Sequence, residues 1–140
     1  MTRTLNETET RELIAAGKVG RLGCVVDGEP YVVPVNYLFD DGAIYGHSLL
    51  GRKIRALRAR PRACLQVDQV ESDLRWRSAI VFGRFEEIRH EPEREQVLHK
   101  FFQRFPLLTP VESVISKDAA SPEVIVFRIC VDRVTGLAED

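Results

Sequence analysis

Six runs rich in Val, Ile, Tyr and Phe punctuate this chain, and short polar or glycine-bearing steps separate most of them. They predict strands over Gly20–Val26, Pro30–Phe39, Ala43–Ser48, Arg62–Gln69, Arg75–Ile88 and Glu123–Val134. Asp27-Gly28 and Asp40-Asp41-Gly42 are hairpin turn sequences, because both central positions of such a turn need positive φ. Pro34 has no N–H to give a ladder, so its strand belongs at a sheet edge or carries a bulge. Three segments change to a spacing of three and four. Asn6 caps a helix with Glu9 three residues on, Leu13 and Ile14 form its apolar stripe, and Gly17 suits its end. Leu50, Ile54 and Leu57 give Arg52–Arg60 one apolar face, and Pro61 stops it. Glu93–Phe105 places Val97, Leu98, Phe101 and Phe102 together, with Pro92 in its first turn.

Hairpin links make most strand pairs antiparallel. Six such strands and about three short helices predict a mainly β, α+β fold: a small closed or half-closed barrel with helices at its ends. Neither a repeat nor a linker divides the chain, so residues 1–140 read as one domain. Pro106–Pro122 carries two prolines at its limits and a third at Pro110, and reads as a loop.

Composition narrows the function classes. Apolar residues are 44% of the 140, enough for a core, and the net charge is −1, which does not favour nucleic acid or anionic membrane as a partner. No apolar run is long enough to span a bilayer, and the polar N-terminus is not a signal peptide. Cys24, Cys64 and Cys130 are odd in number, lack close pairing and sit in apolar runs, which predicts reduced thiols and a cytoplasmic protein. The charge is nonetheless uneven. No acid falls between Asp41 and Asp68, whereas Arg52, Lys53, Arg55, Arg58, Arg60 and Arg62 all do.

Gly51-Arg52-Lys53 stands where a strand gives way to a helix. Free N–H groups and the helix dipole favour an anion there, Arg binds phosphate bidentately, and Lys adds a point charge. Ser48 is placed to donate to the same oxygens. A solvated basic helix face and a nucleic-acid patch are the competing readings, the latter weakened because no aromatic residue interleaves the cations. Trp76, the single tryptophan, lies between Arg75 and Arg77-Ser78 at a strand start, suited to a planar ligand or to a subunit contact. His47 ends a strand as a ligand contact or a packed rim residue. With His90 and His99 it makes no metal spacing, so no metal is expected, and no Gly-x-Ser-x-Gly motif supports a hydrolase.

Taken in order, GRLGCV from Gly20, PYVVPVNY from Pro30, IYGHSLLGRK from Ile44, the basic helix closing at Arg60-Pro61-Arg62, and WRSAIVFG from Trp76 resemble the pyridoxamine 5′-phosphate oxidase-like superfamily of FMN-binding split β-barrels. Within it the likeness is greatest to nitroimidazole-resistance type flavin-nucleotide-binding proteins. The resemblance implies a six-stranded antiparallel split barrel and a homodimer with FMN at the subunit interface. Val33, Pro34, Val35 and Asn36 would run along the isoalloxazine, His47 and Ser48 would flank the ribityl phosphate, Arg52 and Lys53 would clamp it, and Trp76, Arg77 and Ser78 would reach the flavin of the other subunit. It implies a flavin-dependent oxidoreductase acting on a small, even nitroaromatic, molecule, or else a non-catalytic flavin, deazaflavin or haem carrier or sensor. The chain ends without the C-terminal Arg and His segment of the true oxidase and has Asn36 where that enzyme has a base, which argues against pyridoxamine phosphate oxidation.

Overall fold

The computed structural model describes residues 1–107 and 123–140. Among these residues, eight strands and three helices follow one another as β1 (Thr2–Thr4), α1 (Glu7–Ala16), β2 (Val19–Val26), β3 (Glu29–Asn36), β4 (Leu38–Asp40), β5 (Ala43–Leu49), α2 (Arg52–Ala59), β6 (Arg62–Ser72), β7 (Arg75–Glu87), α3 (Glu93–Arg104) and β8 (Val124–Glu139). All recorded pairings are antiparallel, in the order β3-β2-β6-β7-β8-β5-β4, with β1 added to the end of β8. The end strands β3 and β4 do not pair with each other, so the sheet curls but stays split. Apart from Pro106 and Leu107, which form a turn, the predicted loop over Pro106–Pro122 lies outside the described residues.

Among the described residues the strands number eight rather than six, and contacts distant in sequence account for the difference. Pro30–Phe39 divides at Tyr37, whose ring is 1% exposed. Its N–H donates to the Lys18 carbonyl at 3.0 Å and its hydroxyl to the Ile14 carbonyl. Burial pushes the phenol up to about 12, so it stays a donor. A side chain tied to the end of α1 turns the backbone out of the β3 ladder, and β4 starts afresh on β5. The other additional strand, β1, is three exposed residues that pair only with the last turn of β8. The last strand also runs past Val134 to Glu139. Asp132 bulges between the pairs Phe82–Arg133 and Gly83–Val131, and the strand resumes in register beyond it.

Both predicted hairpin turns have left-handed pairs, Asp27 and Gly28 at φ 52° and 78° and Asp41 and Gly42 at 49° and 77°. The α1 capping box is formed, with the Glu9 N–H donating to Asn6 Oδ1 at 2.8 Å. Gly17 does end α1, but at φ −74°. It is glycine for closeness: a Cβ there would strike the Tyr37 hydroxyl and lie 2.8 Å from Val67 Cγ1. The orphan carbonyls of α1 are instead capped from afar. Arg104 Nη2, at the end of α3, donates to the carbonyls of Ala15, Ala16 and Gly17 at 3.1, 3.2 and 2.9 Å.

Alternate residues of the sheet meet inside. Leu22, Leu65, Val67, Val81 and Ile129 are fully buried, and Ile14 of α1 with Ile54 and Leu57 of α2 complete that core. α1 packs on β4, β6, β7 and β8, α2 on β2, and α3 on β5 and β8. Two helices therefore close the barrel interior, which puts the start of α2 beside the β2–β3 hairpin. Among the described residues no helix is long and apolar enough to cross a membrane.

Candidate functional site

The site is built at the step from β5 into α2. Gly51 precedes the helix with extended backbone and no side chain to cap it, so the first N–H groups of α2 have no local acceptor. Ile54 and Leu57 bury one side of the helix, which turns Lys53 partly inward and Arg52 outward. Lys53 Nζ donates to Ser48 Oγ at 2.7 Å, and that hydroxyl donates to the Leu49 carbonyl at 2.8 Å. Burial holds the Lys53 ammonium below the usual lysine range. A half-buried cation hydrogen-bonded to a neutral hydroxyl favours an added anion, because the anion restores what desolvation removed.

Arg52 points the other way. It is 3.7 Å from Asp27 Oδ2, an exposed and loose pair, and its guanidinium lies 5.9 Å from the centre of the Tyr31 ring on β3. The helix start therefore touches the N-terminal half of β3. Further along that strand, Val33 and Val35 face the core, while Pro34 and Asn36 are exposed on the outer face. β3 pairs only with β2, so Pro34 sits on an edge strand, as its missing N–H requires.

His47 and Ser48 are neighbours in sequence but face opposite sides of β5. The imidazole of His47 packs under α3, 4.7 Å from the Phe101 ring centre and 5.1 Å from that of Phe102. Ser48 faces Lys53.

Trp76, Arg77 and Ser78 open β7 opposite Glu139, Ala138 and Leu137 of β8, near the chain ends. Among the described residues no hydrogen bond or ion pair joins them to Arg52 or Lys53. They connect instead to the outer face of β3 through a polar ladder that the sequence did not reveal. Gln66 Nε2 donates to Ser78 Oγ and Asp68 Oδ2, both at 3.0 Å, and Arg21 donates to Asp68 Oδ1 at 3.3 Å. Arg21 stands opposite Pro34 and Gln66. Val32, 67% exposed, and Leu137, 47% exposed, lie on this same outer face.

Taken together, Ser48, Lys53 and the open α2 terminus suit a phosphate monoester, and the unpaired β3 edge with Tyr31 provides a neighbouring surface for a flat group.

The comparisons agree with this architecture. The sequence pattern of the pyridoxamine 5′-phosphate oxidase family matches residues 6–138. An uncharacterized protein of Rhizobium meliloti (strain 1021) is 30% identical over 97% of this chain and 94% of its own. A FAD-binding protein from Mesorhizobium loti superposes with a TM-score of 0.80 at 31% identity, covering 100% of this chain and 99% of that one. A protein assigned to 5-nitroimidazole antibiotic resistance in Bacteroides thetaiotaomicron has the same fold, with a TM-score of 0.77 at 23% identity over 99% of this chain and 87% of that one. The split antiparallel barrel and the match along nearly the whole chain show that this protein belongs to the pyridoxamine 5′-phosphate oxidase family.

Proposed function

We propose that this protein binds a flavin nucleotide by its 5′-phosphate, FMN being the smallest that fits, and uses it as an oxidoreductase of a small, even nitroaromatic, molecule. The observation that carries the reading is the half-buried Lys53 ammonium held by Ser48 at an uncapped helix start. The FAD-binding relative from Mesorhizobium loti, at 31% identity, supports a flavin as the guest. In this reading Lys53, Ser48 and the first α2 N–H groups hold the phosphate, Arg52 adds charge, and the edge from Val33 to Asn36 borders the ring. A bound flavin supplies hydride and electron transfer, while the chain's own residues bind, orient and shield it.

The working form we propose is a cytoplasmic homodimer. The exposed Val32 and Leu137 on the outer face, together with the separation of Trp76–Ser78 from the phosphate site within one chain, support a second copy that brings its Trp76 segment to the flavin. Three free cysteines suit a reducing compartment. The packing of His47 against Phe101 and Phe102 supports a structural role for that ring over haem ligation.

Reduction separates an oxidoreductase from a carrier. FMN-loaded protein mixed anaerobically with NADH or NADPH is expected to lose its flavin absorbance much faster than free FMN does, and to regain it when a nitroaromatic acceptor is added. A flavin that stays oxidised with both nucleotides would leave the carrier reading in place of the enzyme.

A further inference from the structure

A groove of about 370 Å³ runs beside the phosphate site, between the Asp27-Gly28 turn and the exposed side of α2. That size lies within the roughly 300–1,000 Å³ typical of small-molecule sites. Arg52, Arg55, Ala56, Ala59 and Arg60 line it from the helix, at the spacing that puts residues on one face. Val25 and Val26 of the hairpin also line it.

The charges of this helix are handled in two ways. Arg58, on another side, is bonded to Glu87, with its Nη2 at 3.2 Å from Oε2, and Arg62 just beyond is paired with Asp132. The arginines in the groove are left uncompensated. Arg55 and Arg60 form no ion pair with any described residue, and Arg52 has only the loose contact with Asp27. Like charges this close on one helix repel, so the face gains from an anionic guest. The short apolar side chains of Ala56 and Ala59 leave room for a flat group beside the guanidinium planes, which stack on aromatic faces.

We infer that this groove takes the adenosine monophosphate half of a dinucleotide flavin, so that the protein prefers FAD to FMN. The inference rests on the flavin reading above. Arg52 borders both sites and serves the phosphates at their junction. Arg55 and Arg60 hold the adenylate end, and the Asp27 carboxylate accepts from its hydroxyl or amino groups.

Calorimetric titration of the full chain with FAD, FMN and AMP tests this, using the natural protein and the double variant Arg55→Gln, Arg60→Gln, with thermal melting as a control on folding. FAD is expected to bind about tenfold or more tightly than FMN, the gain typical of added charge-assisted bonds. The double variant should lose that preference while its FMN affinity stays within about twofold, and AMP should compete with FAD but not with FMN. Equal affinities for FAD and FMN, or a FAD preference that survives in the double variant, would overturn the groove assignment and leave the phosphate site standing. Failure of both flavins to bind would overturn the phosphate site and the groove with it.

Discussion

Replacing Arg52 and Lys53 together by alanine is expected to weaken flavin nucleotide binding by about 100-fold or more, since each charge-assisted bond to phosphate contributes roughly 1.5–3 kcal/mol. The fold should be retained. Arg52 is exposed, and Lys53 bonds only the Ser48 hydroxyl, which keeps its own bond to the Leu49 carbonyl. Riboflavin, which lacks the phosphate, should bind both proteins equally. The pH dependence follows from the direction of the Lys53 shift. Burial lowers its pKa, so ligand-free protein loses this proton at a lower pH than an ordinary lysine does. Below that lowered pKa the ammonium is present and affinity is full. As pH rises through it, affinity falls, while the stability of the ligand-free fold rises because the unfolded chain still binds the proton. In the single variant Lys53→Ala this alkaline fall should vanish. An unchanged FMN affinity in the double variant would remove the phosphate from this end of α2.

Gly83→Ala is expected to be the most damaging single-methyl change, costing about 3 kcal/mol or more through forced backbone displacement. The added Cβ would strike the Cys130 carbonyl oxygen and lie 3.0 Å from its carbonyl carbon and 2.7 Å from Ile129 Cγ2. Backbone atoms in the middle of a paired strand cannot swing aside as a side chain does. The position also adjoins the bulge at Asp132, where β8 changes register against β7. Because β8 joins β7, β5 and β1, a shift there disturbs several ladders at once. Gly46 is the instructive contrast. The three atoms nearest a Cβ there all belong to the Phe127 ring, the first at 2.8 Å, and a ring can tilt. Thermal melting should show a loss of roughly 10 °C for Gly83→Ala in a domain of this size, and less for Gly46→Ala. A Gly83→Ala protein that melts within a degree or two of the natural one would contradict the register around the bulge.

What could be read from the chain beforehand was local. The two Asp-Gly turns, the Asn6–Glu9 cap and the edge position of Pro34 each rest on a few adjacent residues, and each is present in the structure. The Gly51-Arg52-Lys53 step was legible for the same reason, since a strand end, a glycine and a helix start lie within a few residues. What escaped depends on distant partners. Tyr37 breaks its strand because of Ile14 and Lys18, and Arg104 caps a helix 87 residues earlier. β8 continues through Asp132 and Arg133 because a bulge absorbs them. The opposite directions of Arg52 and Lys53, and of His47 and Ser48, follow from packing that adjacency in sequence does not show. The basic groove was visible only as a run free of acids. Its concavity comes from the β2–β3 hairpin folding against α2.

The central claim is that a flavin is held here by its 5′-phosphate. It is tested most directly by incubating purified protein with excess FMN or excess riboflavin, then passing each through gel filtration while recording the absorbance spectrum. The account predicts that FMN elutes with the protein at the mass of a dimer, filling two equivalent sites, while riboflavin is left behind. A protein that emerges colourless from FMN, or that retains riboflavin just as well, would contradict it.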